Sequence, residues 1–278
     1  MKILAWIHVL CAVSLLGSNP SGAAAARRQR VLVFGGTGMI GSLLVRELAE
    51  RGDTVTVFVR PTSNRSVLDG TKVAFARGDV LDPASLRAAF KLVQPEVVIS
   101  SIARDGHDRP TLDQGPTLYA SGNDAITAAA RSAGVRQLIQ MSTVGAGDSA
   151  ALVPKSVFDF AGQVFRDKSD AEQTLVASGL HYTIVRTPTM LVGPSSGTGQ
   201  LILDHSIQNP IHLGDVVRIV ADCVGAQRCF DHIYHAVDLT IPKLTAEELQ
   251  TERRKLGAYK LSVRPQQSPP PTPLPSPR

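Results

Sequence analysis

Short apolar runs and amphipathic stretches alternate along most of this chain. Six runs have the length and apolar content of buried strands, namely 31–34, 54–59, 73–76, 97–101, 137–143 and 181–186. Helices are predicted at 42–51, 85–92, 123–133, 213–224 and 246–256, and a further helix ends with 173–178 before a glycine. Because strands and helices alternate, the pattern predicts an α/β protein with a doubly wound parallel sheet.

The first apolar run leads directly into Gly35, Gly38 and Gly41, and then into the first helix. Glycines in this place let the backbone approach a phosphate, and the helix N-terminus offers free N–H groups and a positive dipole end. The pattern therefore predicts a turn that binds the pyrophosphate of a dinucleotide, with a plain strand–helix turn as the alternative. The residues expected around the pyrophosphate are Gly35, Thr37, Gly38, Met39, Ile40 and Gly41.

Arg60 follows the second predicted strand, about twenty residues beyond the glycines. In dinucleotide folds an acidic residue at this place binds the ribose 2′-hydroxyl of NAD, whereas an arginine suits a 2′-phosphate. Ser63 and Arg65 stand close by and add a hydroxyl and a second cation. The sequence thus favours NADPH over NADH, with a solvated arginine at a strand end as the alternative.

Residues at the ends of later strands are expected to complete the cofactor site. Asp79 follows the third strand, where its carboxylate can accept a hydrogen bond from the adenine amino group, and Val80 stands beside it. The fourth strand ends in Ser100 and Ser101, whose small side chains leave room for the nicotinamide ribose. Ser142 ends the fifth strand in the same way.

These residues resemble the short-chain dehydrogenase/reductase superfamily, in its atypical branch with the NmrA-like and isoflavone-reductase-like proteins. The resemblance extends from residue 31 to about residue 257. It implies a Rossmann-like fold, an NADPH cofactor and a small C-terminal substrate lobe. The matching segments are 35–41 (GGTGMIG), 78–82 (GDVLD), 129–135 (AARSAGV), 178–186 (SGLHYTIVR) and 210–215 (PIHLGD).

The resemblance also implies a catalytic lysine. Members of the superfamily use a tyrosine four residues before a lysine as an acid/base pair. Here Lys168 is retained, but Val164 occupies the place of the tyrosine, and Tyr119 lies in a different segment. Lys168 is therefore expected to hold the nicotinamide ribose. Glu172 is expected as its helical ion-pair partner, with an exposed pair of no functional importance as the alternative.

Within the superfamily the chain is most similar to the divinyl chlorophyllide 8-vinyl reductases, through segments 98–104, 184–186 and 219–223 together with Lys168. That similarity implies NADPH-dependent reduction of a vinyl or conjugated C=C bond in a small hydrophobic substrate, with a tetrapyrrole as one candidate. Such a reaction does not need the missing tyrosine. The alternative, supported by Val164, is a non-catalytic NADPH-binding sensor or assembly factor. A sugar-nucleotide epimerase would need the tyrosine.

Residues 1–26 have the features of a signal peptide, with an apolar core at 3–16 and small residues up to Ala26. A cleaved peptide would direct the protein out of the cell, to a periplasm or to a complex plastid. An uncleaved segment would bind a membrane, and a misassigned start would leave the protein in the cytoplasm. The expected domains are a dinucleotide-binding domain at 27–195, a small substrate lobe at 196–262 and a Pro-rich disordered tail at 263–278.

Charge and cysteine content narrow the functional classes. The formal net charge is +5 and the basic residues are not clustered, so no nucleic-acid partner is expected. The three cysteines lack metal-ligand spacing, so no metal site is expected. If the first 26 residues are removed, Cys223 and Cys229 remain, and they either pair in an oxidising compartment or are two buried thiols.

Overall fold

The computed structural model describes residues 28–103 and 118–262. The predicted signal peptide and the predicted Pro-rich tail therefore lie outside the described residues. Among the described helices, none has both the length and the apolarity that a bilayer-spanning helix needs.

The described residues form ten strands and six helices. The strands are β1 (Arg30–Phe34), β2 (Thr54–Val59), β3 (Ala74–Arg77), β4 (Val97–Ser100), β5 (Gln137–Thr143), β6 (Tyr182–Thr187), β7 (Met190–Leu191), β8 (Gln200–Ile202), β9 (Ile211–His212) and β10 (His232–Val237). The helices are α1 (Met39–Glu50), α2 (Pro83–Val93), α3 (Leu118–Ser132), α4 (Lys155–Val176), α5 (Leu213–Asp222) and α6 (Ala246–Ser262).

Eight strands form one sheet in the order β3-β2-β1-β4-β5-β6-β10-β8. All neighbours pair in parallel except β10 and β8, which are antiparallel. The strand order reverses between β1 and β4, and ligands of such sheets bind at the carboxyl ends of the strands beside this point. The predicted doubly wound α/β architecture is confirmed.

Two apolar cores cover the two faces of the sheet. On one face, α1 and α5 pack through residues such as Leu44 and Val220. On the other face, α2, α3 and α4 pack through residues such as Phe90, Ile126 and Leu175. Because both faces are buried, the central strands are mostly apolar, and this is why their sequence runs are recognisable.

A local sequence signal explains where helix α2 begins. The predicted bounds of two other helices, α3 and α4, were wrong. Asp82 caps α2, because its carboxylate accepts hydrogen bonds from the N–H groups of Ala84 (2.9 Å) and Ser85 (3.2 Å). However, α3 begins at Leu118 rather than Asn123. The helix predicted only at 173–178 is the end of α4, whose 22 residues are mostly polar or half-buried and so lack a clear apolar stripe.

The region predicted as a separate lobe, 196–262, is continuous with the main sheet. It supplies β10 and the edge strand β8, and its helix α5 packs beside α1 in the apolar core. Strand β10 was not predicted, because its two histidines interrupt the apolar run. Residues on both sides of the predicted boundary thus share one sheet, and a substrate-binding role for 196–262 stays a prediction.

Cys223 and Cys229 form a disulfide, which decides between the two alternatives left open by the sequence. The closed loop is attached to the first residues of β5 and β6. Gln137 donates a hydrogen bond to the carbonyl of Cys223 (3.0 Å), and Thr183 donates one to the carbonyl of Cys229 (2.7 Å). The disulfide thus lies at the amino ends of the strands, opposite the crevice.

Candidate cofactor crevice

The glycine turn between β1 and α1 is shaped by close backbone contacts. Gly35 has a φ of +75°, and a Cβ atom at this position would collide with the backbone of Ser101 after β4. A Cβ atom on Gly41 would collide with the carbonyl of Gly35. These two glycines are therefore required by the turn itself as well as by any ligand.

Gly38 is different, because it is exposed and forms the N-cap of α1 with a φ of −80°. A Cβ atom here would meet only the carbonyl oxygen of Gly35, at 3.1 Å. Thr37, Met39 and Ile40 are half-buried around it. Open space in front of a helix N-terminus is what a pyrophosphate needs, so the turn fits the predicted dinucleotide.

The residues predicted for the 2′-phosphate lie together after β2. The backbone N–H of Arg60 donates a hydrogen bond to the hydroxyl of Ser63 (3.1 Å), and the N–H of Ser63 donates one to the carbonyl of Arg60 (3.0 Å). The guanidinium of Arg65 lies 5.1 Å from the ring centroid of Phe75. Both arginines are exposed at the carboxyl end of β2, as a phosphate-binding pair requires.

Asp79 and Val80 lie at the neighbouring carboxyl end of β3. The carboxylate of Asp79 is exposed and accepts a hydrogen bond from the N–H of Leu81 (2.9 Å), which fixes the turn. Val80 is half-buried against Gly122 of α3. Asp79 can therefore still accept a hydrogen bond from a nucleotide at its exposed side, whereas Val80 contributes an apolar contact.

The hydroxyls of two residues predicted at the cofactor site donate hydrogen bonds to buried side chains, so a place beside the cofactor stays a prediction for both. Ser100 donates a hydrogen bond to the side-chain oxygen of Asn123 on α3 (2.6 Å). Ser142 donates one to the carboxylate of Glu172 on α4 (2.5 Å). Both serines are buried and join the sheet to helices, whereas the half-buried Ser101 lies directly against the glycine turn.

Lys168 lies on α4, beside an aromatic ring that the sequence placed in an unrelated segment. Its ammonium nitrogen is 4.2 Å from the ring centroid of Tyr119 on α3. Burial lowers the pKa of Lys168 to about 8, although the nearby carboxylates of Glu172 and Asp167 oppose this shift. No sequence pattern connects residues so far apart, which is why Tyr119 was missed.

The Tyr119 hydroxyl does not face the lysine. It donates a hydrogen bond to the carbonyl of Met141 (3.0 Å), and the residue is buried. Burial, reinforced by the charge of Glu172, raises the pKa of this phenol well above its ordinary value. Tyr119 therefore does not replace the acid/base tyrosine of the superfamily, whose place is occupied by Val164.

Glu172 is not available as the predicted partner of Lys168, because it is bound by the buried Arg186 of β6. The guanidinium of Arg186 donates hydrogen bonds to both carboxylate oxygens at 2.8–3.2 Å. Arg186 also pairs with Asp148 (2.5 Å), which in turn contacts His205 (2.8 Å). This cluster ties β6 to α4 and to the segment after β5.

A cavity of about 200 Å³ lies beside Lys168. It is lined by Ala103, Tyr119, Val164, Asp167 and Lys168. Ala103 follows β4, so the cavity begins near the glycine turn and reaches the face of α4. Ala103, Val164 and the Tyr119 ring give the cavity apolar walls beside the charged groups of Lys168 and Asp167, a combination that suits a small, largely apolar ligand with a polar group.

His212, Asp215 and Asp238 are a second polar cluster, whose possible metal-ligand atoms lie within 4.8 Å of one another. The oxygens of Asp215 and Asp238 accept hydrogen bonds from the loop 195–198, including two of 2.6 Å to Asp215 from Ser195 and Ser196. Because the carboxylates are occupied by these donors, they anchor the loop and do not form an open metal site.

The glycine turn allows a direct test of the crevice. We expect Gly38→Val to weaken NADPH binding at least about tenfold while lowering the free energy of unfolding by at most about 1 kcal/mol. Gly35→Ala should lower the free energy of unfolding by more, because of its positive φ and its contact with Ser101. Fluorescence titration and urea unfolding measure the two effects. Gly257→Ala, on an open face of α6, serves as the control, and unchanged NADPH binding by Gly38→Val would contradict the nucleotide assignment.

The Arg186 cluster predicts a specific loss of stability in acid. Burial opposes ionisation of Asp148, but hydrogen bonds from Arg186 and His205 outweigh it and lower the pKa of Asp148 to about 2. A lowered carboxyl pKa stabilises the folded state above about pH 4, and this stabilisation is lost as the pH falls towards 2. Asp148→Asn should therefore be less stable than the wild type at pH 7, with the difference disappearing at pH 2 in urea unfolding. Asp159→Asn, in an exposed pair with Lys155, should show little difference at either pH.

Comparisons with known proteins agree with a dinucleotide as the ligand of the crevice. A family model described as NAD(P)H-binding matches residues 35–227. The chain is 34% identical over 188 residues to sterol demethylase protein B of Methylococcus capsulatus, which covers 62% of this chain and 56% of the relative. It is 32% identical over 184 residues to a 3-diazoavenalumate denitrifying reductase of a Streptomyces species, covering 60% and 58%. The chain thus spans a little over half the length of these relatives.

A solved structure of an anaerobilin reductase from Escherichia coli O157:H7 has the same fold. It matches with a TM-score of 0.67 and 21% sequence identity, covering 77% of this chain and 99% of that one. The expected Rossmann-like fold and the NAD(P)H cofactor are confirmed, whereas the closer similarity to the 8-vinyl reductases stays a prediction. Because the family model covers well over half of the residues, the chain belongs to the NAD(P)H-binding family of Rossmann-fold proteins.

Proposed function

We propose that this protein is an NADPH-dependent reductase of the atypical short-chain dehydrogenase/reductase type that reduces a vinyl or conjugated C=C bond in a small hydrophobic substrate. The names of the relatives include a reductase and a sterol-modifying protein, and the structural neighbour is an anaerobilin reductase. These names support a reductive function and an apolar substrate, of which a tetrapyrrole is one candidate.

The observation that carries the proposal is the lysine without a phenol. In the superfamily the tyrosine transfers a proton to or from a carbonyl or alcohol oxygen. Here the residue at its place is Val164, and the nearby Tyr119 hydroxyl donates to the carbonyl of Met141. A site that retains the cofactor turn and the lysine but has no phenolic donor suits a C=C bond better than a carbonyl.

The residues of the crevice have separate tasks in this reaction. NADPH, when bound, supplies the hydride. The glycine turn and the N-terminus of α1 bind the pyrophosphate, and Lys168 holds the nicotinamide ribose. Val164 and Tyr119 form apolar walls of the cavity, against which an apolar substrate can pack. The second hydrogen of the product is a proton, which water supplies to the neighbouring carbon after the hydride has been transferred.

The preference for NADPH is based on Arg60 and Arg65, the two exposed guanidinium groups after β2. An NADH site would favour a carboxylate at the position of Arg60, which would repel a 2′-phosphate. The hydroxyl of Ser63 lies beside the backbone of Arg60 and adds a neutral donor for the same phosphate.

The alternative is a non-catalytic NADPH-binding sensor or assembly factor, and Val164 is again the observation in its favour. Loss of the tyrosine would disable a carbonyl reductase and leave the cofactor turn intact. The two functions differ in whether bound NADPH is oxidised when an acceptor is present.

The first test is therefore turnover with defined acceptors. We expect the wild type to oxidise NADPH with a vinyl-bearing tetrapyrrole or a simple enone. Val164→Tyr should add little, because both hydrogens are added to carbon and no oxygen has to be protonated to an alcohol. Absorbance at the NADPH band and product analysis measure both. Binding without oxidation would favour the sensor, and strong ketone reduction by Val164→Tyr would indicate a disabled dehydrogenase.

Arg60 allows a test of cofactor choice. A charge-assisted hydrogen bond contributes about 1.5–3 kcal/mol, so Arg60→Ala should weaken NADPH binding by roughly ten- to hundredfold. NADH binding should change little, because NADH has no 2′-phosphate. Arg77→Ala, an exposed arginine at the end of β3, serves as the control. Equal losses for both cofactors would show that Arg60 is structural.

We also propose that the protein follows the secretory route to an oxidising compartment, with an uncleaved membrane anchor and a cytoplasmic protein as the alternatives. The disulfide between Cys223 and Cys229 supports this proposal, because such bonds persist mainly outside the cytosol. The protein isolated from its source under alkylating conditions should begin after Ala26 and contain the oxidised cysteine pair. Mass spectrometry measures both features, and a mature chain beginning at Met1 with two alkylated thiols would contradict the proposal.

A further inference from the structure

We propose that Tyr119 is the positioning residue for Lys168, and that the face of its ring holds the ammonium group at the cavity in place of the missing tyrosine of α4. This inference rests on the proposed role of Lys168 in holding the cofactor. It assigns a function to an aromatic residue of α3 that the superfamily pattern does not include.

The contact has the geometry of a cation–π interaction. The ammonium nitrogen of Lys168 lies 4.2 Å from the ring centroid of Tyr119, within the range of about 6 Å in which this attraction is significant. The two residues come from different helices, α3 and α4, and both line the same cavity. The ring therefore determines the position of the Lys168 ammonium group at the cavity.

The ring is itself held rigidly. Its hydroxyl donates to the carbonyl of Met141 (3.0 Å), while the amide of Asn123 donates to the carbonyl of Tyr119 (2.9 Å). Asn123 accepts a hydrogen bond from Ser100 of β4 (2.6 Å). All four residues are buried, so the orientation of the ring is set by β4 and β5.

The carboxylates around Lys168 are bound by other donors. Glu172 accepts hydrogen bonds from Arg186 and Ser142. Asp167, on the same helix, accepts one from the amide of Gln163 (2.7 Å). Both carboxylates still favour the charged lysine electrostatically, and both also accept hydrogen bonds from the other residues named above. This leaves the Tyr119 ring to define the direction of the ammonium group.

A graded series of rings separates the electrostatic role of Tyr119 from simple packing. Fluorination weakens the attraction of a ring for a cation while changing its size little. We would replace Tyr119 with Phe, 4-fluorophenylalanine, 3,5-difluorophenylalanine and 3,4,5-trifluorophenylalanine. The pKa of Lys168 is measured in the cofactor-free protein by NMR titration of lysines labelled with carbon-13 at Cε. The signal of Lys168 is identified as the one that is absent from the spectrum of Lys168→Arg.

We expect the pKa of Lys168 to fall steadily along the series and the NADPH dissociation constant to rise by about tenfold in total. The KM for NADPH should rise in step, with a smaller change in kcat. Values that stay flat from Phe to trifluorophenylalanine would show that the ring only fills space and would overturn the inference. If the Phe variant does not fold, 3-fluorotyrosine and 3,5-difluorotyrosine, which keep the hydroxyl, provide the same comparison.

This experiment also distinguishes the inference from the proposed reductase activity. The lysine pKa and the NADPH dissociation constant are measured without turnover. A steady trend in both, together with a wild type that reduces no acceptor, would support the positioning role and contradict only the proposed activity.

Discussion

The site depends on the buried ion pair between Arg186 and Glu172. Arg186 has a side chain only 2% exposed, and an unpaired guanidinium in such a position would be strongly destabilising. Burial alone would lower the pKa of Arg186, but Glu172 and Asp148 raise it above its ordinary value, so the charge is retained. The pair fixes α4 against β6, and through Ser142 it also fixes the end of β5.

The same ion pair determines the surroundings of Lys168. Because Arg186 binds both oxygens of Glu172, the lysine one helical turn away does not form the helical ion pair that its spacing suggests. Its ammonium group lies on the Tyr119 ring instead. The proposed site therefore combines a half-buried cation and an aromatic face with Val164 at the place where the superfamily has a tyrosine. The contact of Lys168 with the Tyr119 ring thus depends on the ion pair between Arg186 and Glu172 in the core.

Local features of the crevice could be predicted from the sequence, whereas contacts between distant segments could not. The turn from Gly35 to Gly41 and the arginine after β2 are encoded by adjacent residues, and buried parallel strands leave clear apolar runs. Ser100 has the correct position but serves Asn123, because a hydroxyl at a strand end can face a helix or the crevice. The contact of Tyr119 with Lys168 joins helices whose order in the chain says nothing about their distance. Strand β10 was not predicted because two histidines, the half-buried His232 and the buried His235, interrupt its apolar run.

The cofactor crevice and the disulfide lie at opposite ends of the sheet. The carboxyl ends of β1 to β4 hold the glycine turn, Arg60 and Ser101, which are the residues predicted to bind the cofactor. The amino ends hold the disulfide loop, attached through Gln137 and Thr183, and the described chain enters beside it, since Gln29 packs against Gly225. The oxidised cysteines and the chain entry are therefore on the side opposite the crevice. Within the described residues, the disulfide loop is attached to the amino ends of β5 and β6, away from the residues predicted to bind the cofactor.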